Sequence, residues 1–412
     1  MTAPIITAAI FCVSATAFHV TTIAIVIRRF RRHTGQGAVP EQHPPVSLVR
    51  PLCGLDNFAA DTLRSTFALA YQPHEILFCV ASAADPVVPL VEALMAEHPD
   101  AKARLLIGDD RLSSNPKLNN VLKGWAAAAH DWIIIADSNV LMPSDYIQQL
   151  FASWRPDTGL VASPPIGCRP QGFWAEIECA FLNTYQARWQ YAADAHGFGF
   201  AQGKTMLWRR TDLERAGGIP ALAKEVAEDA AATKVVRNAG LKVRLANRPF
   251  PQPLGRRTAR EVWNRQVRWA RLRRASFFLC FLPEIFSGGI LPMIAVAIIA
   301  YGCGLAPLPI AAIFGACWYG GEILLAAAAG WPLSALSPFY GVVRDVLLPP
   351  LFITALHGND FVWRGNEMQV ERMVPRMAMA RVKPRMQEIA QGSRRRLRSI
   401  RARALAAASR LP

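Results

Sequence analysis

The sequence has no closely spaced cysteine pairs and few acidic residues. Its eight cysteines form no CxxC pair and several lie in apolar runs, so we expect reduced thiols, with no disulfide framework or zinc site. Acidic residues are scarce, 30 against 46 Lys and Arg, which gives a net charge of +16. The basic residues lie beside apolar segments and in the C-terminal tail, and they are not interleaved with aromatics on a soluble surface. This pattern excludes nucleic acid as the expected partner and favours a membrane with anionic lipids.

Apolar runs long enough to cross a bilayer lie near both ends of the chain. The first, Ile5–Ile27, is followed at once by Arg28, Arg29, Arg31 and Arg32. The positive-inside rule therefore places that end in the cytoplasm and the N-terminus outside. A cleaved signal peptide is disfavoured, because its charges would precede the apolar run.

The C-terminal apolar runs predict two full crossings, Phe286–Gly302 and Pro307–Ala329. A third run, Pro338–Leu356, contains charged residues and a double proline, so we expect it to be only partly inserted. Glu322 lies within the second crossing, where it could be functional or could pair with Arg344, and we assign it no role. The basic tail that follows is then cytoplasmic.

Between these ends, apolar strands alternate with helical segments. Strands are predicted at Val46–Arg50, Glu75–Ala81, Arg104–Gly108, Trp132–Ile135, Gly159–Ala162, Met206–Arg209 and Val243–Leu245. The alternation predicts an α/β fold with a mostly parallel sheet and right-handed crossovers. The chain thus divides into an N-terminal anchor (1–32), an α/β domain (46–258), a basic amphipathic interfacial helix (259–283), a membrane region (284–357) and a basic tail (358–412).

One strand, Trp132–Ile135, is followed by three polar side chains, Asp137, Ser138 and Asn139. Ligands of open α/β sheets bind outside the carboxyl ends of the strands, where a carboxylate can hold a metal ion against a phosphate. An Asx-turn or a helix cap explains these residues equally well. Asp85 follows the second strand and would face the same crevice, although it could simply cap a helix that starts at Pro86.

Two helix starts carry polar side chains. Asn115, Lys117 and Asn120 begin one helix, where they could hold the base and phosphates of a nucleotide or simply cap the helix. Glu228 and Asp229 begin a later helix. This pair either complements the helix dipole or supplies a general base.

Two further segments could contact a ligand. Gly203–Thr205 lacks the glycine spacing of a P-loop and predicts a flexible loop that faces an acceptor. Arg265, Arg268 and Trp269 lie in the basic helix. The arginines could bind a diphosphate, or the helix could lie on the membrane surface, and both could hold at once.

In this order, the residues resemble the ceramide glucosyltransferases, family 21 of the GT-A glycosyltransferases. The resemblance runs from about Val46 to Leu282, and Phe361–Gly365 resembles a segment that follows the last membrane region. The matching segments within it are Arg50–Gly54, Tyr71–Val80, Asn115–Asn120, Ala216–Gly218 and Ala227–Asp229. The resemblance implies a GT-A nucleotide-binding domain with membrane helices at both ends, a UDP-sugar donor and a divalent ion, magnesium or manganese.

The resemblance also assigns roles to individual residues. Asp85 and Asp137 match the family's first and second aspartates, the first near the nucleotide. The second stands where most GT-A enzymes have a DxD metal motif, and Asn139 occupies its second acidic position. Asp137 is therefore the expected metal ligand, and it holds the ion less firmly than a carboxylate pair would. Asp229 matches the third aspartate, the expected base. The family's (Q/R)xxRW motif is matched by Arg265, Arg268 and Trp269.

Two positions depart from the family pattern. Gln186 stands where many eukaryotic members have a histidine, and Lys204-Thr205-Met206 differs from their Met-Ser pattern. Both segments are expected on the acceptor side, so the acceptor and the sugar stay open.

The implied protein is a membrane-bound inverting glycosyltransferase of a bacterial inner membrane, with its catalytic domain in the cytoplasm. It would move a hexose, glucose by expectation, from a UDP-sugar to the primary hydroxyl of ceramide. The acceptor could instead be another lipid, such as a hopanoid, a diacylglycerol or a polyprenyl phosphate. A processive polysaccharide synthase would need more membrane helices. A non-catalytic membrane scaffold is disfavoured by the retained aspartates and the Arg-Trp motif.

Overall fold

A computed structural model of the chain describes residues 3–32, 44–363 and 366–369. Residues 33–43, between the predicted anchor and the α/β domain, and nearly all of the predicted basic tail lie outside these residues. The strands are β1 Val46–Pro51, β2 His74–Val80, β3 Ala103–Ile107, β4 Trp132–Ala136, β5 Thr158–Ala162, β6 Pro165–Gln171, β7 Thr205–Arg209, β8 Lys242–Leu245, β9 Phe250–Arg256, β10 Asp360–Trp363 and β11 Asn366–Gln369.

The helices include a long N-terminal one, a set around the sheet and a C-terminal group. They are α1 Ala3–Arg32, α2 Ala59–Arg64, α3 Val88–Glu97, α4 Pro116–Ala127, α5 Tyr146–Ala152, α6 Phe173–Ala180, α7 Arg188–Ala195, α8 Arg210–Arg215, α9 Ile219–Leu222, α10 Glu228–Asn238, α11 Ala259–Ser276, α12 Phe278–Phe281, α13 Ile290–Gly302, α14 Pro307–Ala329 and α15 Ser337–His357. A π-helical segment, Phe181–Ala187, joins α6 to α7, so the helix from Phe173 to Ala195 is continuous but not regular.

The central sheet has the strand order β3-β2-β1-β4-β7-β5-β8. Its strands pair in parallel except that β7 runs antiparallel to both β4 and β5. The predicted α/β class with a mostly parallel sheet is therefore confirmed. Since β2, β1 and β4 are parallel neighbours, their carboxyl ends, and the polar residues that follow them, meet at one edge of the sheet.

The sheet is covered by helices on both faces. On one face, α4 packs so closely on β1 that a Cβ added at Gly124 would lie 2.4 Å from Val49. On the other face, Tyr146 of α5 packs with Ile134 of β4 and Phe250 of β9. This burial on both faces explains the unbroken apolar run of β4.

A separate two-stranded sheet pairs β6 with β9 in parallel. The sequence analysis missed both strands, because Pro165, Pro170, Pro251 and Pro253 interrupt their patterns. Proline has no N–H to donate, so it fits a two-stranded sheet, where each strand has an unpaired edge.

Within the part of the chain that the structure describes, three helices are long and apolar enough to cross a membrane: α1, α14 and α15. The segment predicted to be only partly inserted, Pro338–Leu356, lies in the continuous helix α15, whose length and composition suit a full crossing. The predicted crossing Phe286–Gly302 belongs to the segment Phe278–Gly302, which is bent by 45° between Phe286 and Ile290. Helix α15 stays regular because its charged residues have partners inside the bundle.

The pairing considered between Glu322 and Arg344 is confirmed. Arg344 donates to the two Glu322 oxygens at 2.9 and 3.0 Å and to Asp345 at 2.7 Å. Thr184, in the π-helical segment, also donates to Glu322 at 2.7 Å. Buried charges persist only when paired and hydrogen-bonded, and this cluster links the membrane helices to the helix that leads to the sheet.

Candidate active site

The site is built around the loop that follows β4. The Asp137 N–H donates to the carbonyl of Lys204 at 3.0 Å, which continues the pairing of β4 with β7. Arg50, fully buried on β1, donates to the carbonyls of Asp137 and Ser138, both at 3.0 Å. The backbone of this loop is therefore held from both neighbouring strands.

The Asp137 carboxylate lies between two ammonium groups. Lys117 Nζ is 2.7 Å from its Oδ1, and Lys204 Nζ is 2.9 Å from its Oδ2. Burial alone would raise the pKa of Asp137, but the two lysines outweigh it and hold that pKa well below its usual range. Asp137 is thus a fixed negative charge.

Lys117 connects this aspartate to the start of α10. Its Nζ is also 2.7 Å from Glu228 Oε1, and it donates to the carbonyl of Gly203. Burial opposes its charge, but the carboxylates of Asp137 and Glu228 raise its pKa above the usual value. Asn115 completes the set by donating to Glu228 Oε2 at 2.8 Å.

Asp229 follows Glu228 in the first turn of α10. Its carboxylate accepts from the N–H of Gly203 at 3.1 Å and from the N–H of Ala230 at 2.8 Å. Burial and the neighbouring charge of Glu228 raise the pKa of Asp229 to about 6, against the opposing effect of Lys117. A carboxyl with this pKa is ionised at neutral pH and is a stronger base than an ordinary aspartate.

Glycine at position 203 leaves room for two charged side chains. A Cβ there would lie 2.8 Å from Glu228 Oε1 and 2.9 Å from Lys117 Nζ. The backbone of Gly203 can therefore reach Lys117 with its carbonyl and Asp229 with its N–H. The segment predicted as a flexible acceptor loop is instead part of this polar network.

Asp85 and Asn120 hold the loop that follows β1. Both Asp85 oxygens lie 3.0 Å from the N–H of Gly54, and Asn120 donates to the carbonyl of Leu52 at 3.0 Å. Asp85 also accepts from the N–H of Val87 at 2.9 Å, so it turns the chain ahead of α3. These residues shape the sheet edge next to Asp137.

The (Q/R)xxRW residues lie on α11, whose first turn has a capping box formed by Thr258 and Glu261. Arg265 donates to Glu178, which is fully buried and also lies 3.4 Å from Arg257. Trp269 packs against Cys179, Leu182 and Leu254. Arg268 is half-buried on the same helix.

The basic residues at the end of α11 contact the end of α15. Arg274 donates to the carbonyls of Ala355 and Leu356 at 2.6 and 2.7 Å. Such contacts satisfy carbonyls that a helix end leaves free and complement its dipole. They give these arginines a structural role besides the predicted contact with a membrane.

An apolar cavity of about 320 Å³ lies between α6, α11 and α15. Its wall includes Trp174, Trp263 and Leu351. Gln266 also lines it, is 2% exposed and accepts from Gln186 at 2.9 Å, while its own Nε2 has no hydrogen-bond partner among the described residues. The cavity thus offers apolar walls and one buried donor.

The donor set at Asp137 does not fit a divalent ion. Both Asp137 oxygens face ammonium groups, and the amide oxygen of Asn139 accepts from Lys204 at 2.9 Å. Within residues 3–32, 44–363 and 366–369, His, Cys, Asp and Glu form no group of three or more that could hold a metal. Hard cations prefer several oxygen ligands and would be repelled by two adjacent ammonium groups.

The structure therefore brings together Asp137, Lys117, Asn115 and Asp229, and places Asp85 and Asn120 at the same sheet edge. No pattern in the sequence indicated Glu178, which lies 87 residues from Arg265. Lys204, which was expected to face an acceptor, lies beside Asp137 through the antiparallel pairing of β4 and β7.

Comparisons with known proteins identify the family of the chain. The model for glycosyl transferase family 21 matches residues 8–373. "Ceramide glucosyltransferase 3" of Caenorhabditis elegans is 26% identical over 333 residues, which are 78% of this chain and 72% of that protein. "Ceramide glucosyltransferase" of Komagataella phaffii is 41% identical over 106 residues, 25% of this chain and 21% of that protein.

Solved structures also resemble the chain. The mannosyltransferase PcManGT from Pyrobaculum calidifontis, in complex with GDP-Man and Mn2+, is 19% identical with a TM-score of 0.45, over 85% of this chain and 97% of that one. TarS from S. aureus, in complex with UDP-GlcNAc, is 11% identical with a TM-score of 0.37, over 80% of this chain and 98% of that one. The family model, which covers most of the sequence, decides the classification: the chain belongs to glycosyl transferase family 21 and is a glycosyltransferase.

Proposed function

We propose that this glycosyltransferase moves a hexose, glucose by expectation, from a UDP-sugar to the primary hydroxyl of ceramide, with inversion at the anomeric carbon. The observation that carries the proposal is Asp229, a carboxyl with a pKa of about 6 joined through Gly203 to the charged network at Asp137. The names of the relatives, ceramide glucosyltransferases, support the choice of acceptor.

The donor nucleotide lies across the carboxyl ends of β2, β1 and β4 in this proposal. Asp85 and Asn120 keep the loop after β1 in place, and Asn115 and Lys117 present the start of α4 to the nucleotide. Binding outside the strand ends is the general behaviour of open α/β sheets. Arg268 offers a further positive charge to the diphosphate from α11.

Asp229 acts as the base. It takes the proton from the acceptor hydroxyl as the hydroxyl oxygen attacks the anomeric carbon from the face opposite UDP. The bond between that carbon and the β-phosphate oxygen breaks, and its electron pair leaves with UDP. Positioned bases of this kind contribute roughly 10²–10⁴-fold to rate.

The lipid acceptor reaches the base from the membrane side. The apolar cavity between α6, α11 and α15 suits a lipid chain, since α15 itself is long and apolar enough to cross a bilayer. The unpartnered Nε2 of Gln266 in the cavity wall suits a carbonyl or hydroxyl of the lipid. Arg265, held by Glu178, and Trp269 keep α11 in position beside the site.

The proposed membrane location rests on the apolar helices and on the arginines beside them. Helices α1, α14 and α15 anchor the protein, and the arginines at the end of α1 favour the cytoplasmic side for the catalytic domain. A bacterial inner membrane with anionic lipids is the setting we propose.

Magnesium or manganese, which the resemblance implies at Asp137, does not enter the mechanism, because the two lysines occupy that carboxylate.

A matrix of donors and acceptors tests the proposal. Purified protein in lipid nanodiscs is incubated with UDP-glucose, UDP-galactose or UDP-glucuronic acid, each with ceramide, a hopanoid, diacylglycerol or polyprenyl phosphate. Mass spectrometry of the extracted lipids identifies the product. Hexosylceramide as the main product supports the proposal. Another glycolipid would correct the acceptor, and the absence of every product would support the scaffold alternative.

A further inference from the structure

The position of Lys204 is set by the sheet. Strand β7 pairs antiparallel with β4, with Thr205 opposite Ala136, so Lys204 comes opposite Asp137. The Asp137 N–H donates to the Lys204 carbonyl at 3.0 Å. The Lys204 side chain therefore starts at a fixed backbone position just before β7 and reaches the carboxylate of Asp137, which follows the neighbouring strand β4.

The Lys204 ammonium has the contacts of a small cation site. Its Nζ lies 2.9 Å from Asp137 Oδ2 and 2.9 Å from Asn139 Oδ1, two of the oxygens that would otherwise face a metal ion. An ammonium has three donors, and these contacts use two of them. The side chain is 17% exposed, and its third donor has no hydrogen-bond partner among the described residues.

The single negative charge of Asp137 also suits the one positive charge of a lysine better than the two charges of a divalent ion. Asn139 is neutral, so Asp137 supplies a single negative charge beside Lys204. Lys117 already shares Asp137 and compensates Glu228. A divalent ion at this place would add two positive charges next to Lys117, and Asn139 supplies no carboxylate beside Asp137 to offset them.

We infer that Lys204 takes the place of the divalent ion and that its ammonium binds the β-phosphate of the departing nucleoside diphosphate. This inference rests on the proposed function. When the bond between the anomeric carbon and the phosphate oxygen breaks, the electron pair goes to that oxygen, and Lys204 offsets the charge that develops there. The sugar transfer then proceeds without an added divalent ion.

The first test uses wild-type protein in nanodiscs after treatment with EDTA. Transfer is measured with and without added magnesium or manganese, and manganese binding is followed by electron paramagnetic resonance in the presence of UDP. The inference predicts that transfer persists in EDTA and that UDP does not bring manganese to the protein. Loss of transfer in EDTA with recovery in manganese, together with UDP-dependent manganese binding, would overturn it.

The second test replaces the charge. Lys204→Met should lower turnover roughly 10²–10³-fold, the usual cost of losing one preorganised group that stabilises developing charge. It should weaken UDP binding about tenfold in metal-free calorimetry. Lys204→Arg keeps the charge and should retain most of the UDP affinity, while Lys102→Met, at an exposed lysine, serves as the matched control.

Several outcomes separate this inference from the proposed function. Unchanged UDP affinity in a folded Lys204→Met variant would contradict the role of Lys204 even if transfer is observed. If no lipid is glycosylated, the proposed function fails, yet calorimetry with UDP still decides whether Lys204 binds the diphosphate. If Lys204→Met does not fold, Lys204→Arg and the EDTA experiment on wild-type protein give the answer.

Discussion

The backbone N–H of Gly203 donates to Asp229 at 3.1 Å, while the Gly203 carbonyl accepts from Lys117. This glycine therefore joins the base to the lysine that holds Asp137. The arrangement keeps the Asp229 carboxyl beside a positive charge without a direct ion pair between them, which leaves the carboxylate able to accept a proton.

The pH dependence of transfer should report the ionisation of Asp229. Its pKa is raised to about 6 by burial and by Glu228, so the active, ionised form is lost as the pH falls through about 6. Glu228→Gln removes a negative neighbour and should shift the acidic limb of kcat/KM to lower pH. Asp100→Asn, at an exposed aspartate, should leave the profile unchanged. An acidic limb that stays in place in Glu228→Gln would argue against Asp229 as its source.

Narrowing the apolar cavity should affect the lipid and not the donor. Ala259 lines the cavity at the start of α11, and Ala259→Phe would fill part of its volume of about 320 Å³. We expect a higher KM for long-chain ceramide, a smaller change for a short-chain analogue, and unchanged UDP binding. Asn264→Phe, at an exposed position of the same helix, is the control. Equal effects of both variants on both acceptors would show that the cavity does not hold the lipid chain.

The ion pair between Glu322 and Arg344 should stabilise the helix bundle strongly. Arg344→Met leaves Glu322 and Asp345 buried without their main partner, and breaking such a pair typically costs about 3–5 kcal/mol. Glu322→Gln should cost less, because Gln can still accept from Arg344. Thermal unfolding in detergent, read by intrinsic fluorescence, compares the two variants. A melting temperature for Arg344→Met equal to that of wild type would mean that the cluster does not hold the helices together.

Much of this arrangement could be predicted from local sequence. The apolar run of β4 and the aspartate after it place Asp137 at the carboxyl edge of the sheet, and the alternation of strands and helices predicts its mostly parallel order. Contacts between distant segments could not be predicted. Lys204 lies 67 positions after Asp137 in the sequence, and the antiparallel pairing of β4 with β7 brings the two together. Glu178, the partner of Arg265, lies on another helix.

Charged residues and prolines also made some elements hard to predict from the sequence. The charges and prolines of α15 suggested a segment only partly inserted in the membrane. In the structure, Glu322 and Tyr319 on α14 form hydrogen bonds with its charged residues, and α15 is one continuous helix. Proline hid β6 and β9, which pair only with each other. In both cases, the interaction that stabilises the element involves a partner in another segment of the chain, which the local sequence does not indicate.

The central claim is that Asp229 is the base in sugar transfer to a lipid. The most direct measurement compares wild type with Asp229→Asn in nanodiscs containing ceramide and UDP-glucose, with product formation followed by mass spectrometry and UDP binding by calorimetry. The account predicts hexosylceramide from wild type, a loss of turnover of roughly 10²–10⁴-fold in the variant, and unchanged UDP affinity. Near-full transfer by a folded Asp229→Asn variant would contradict it.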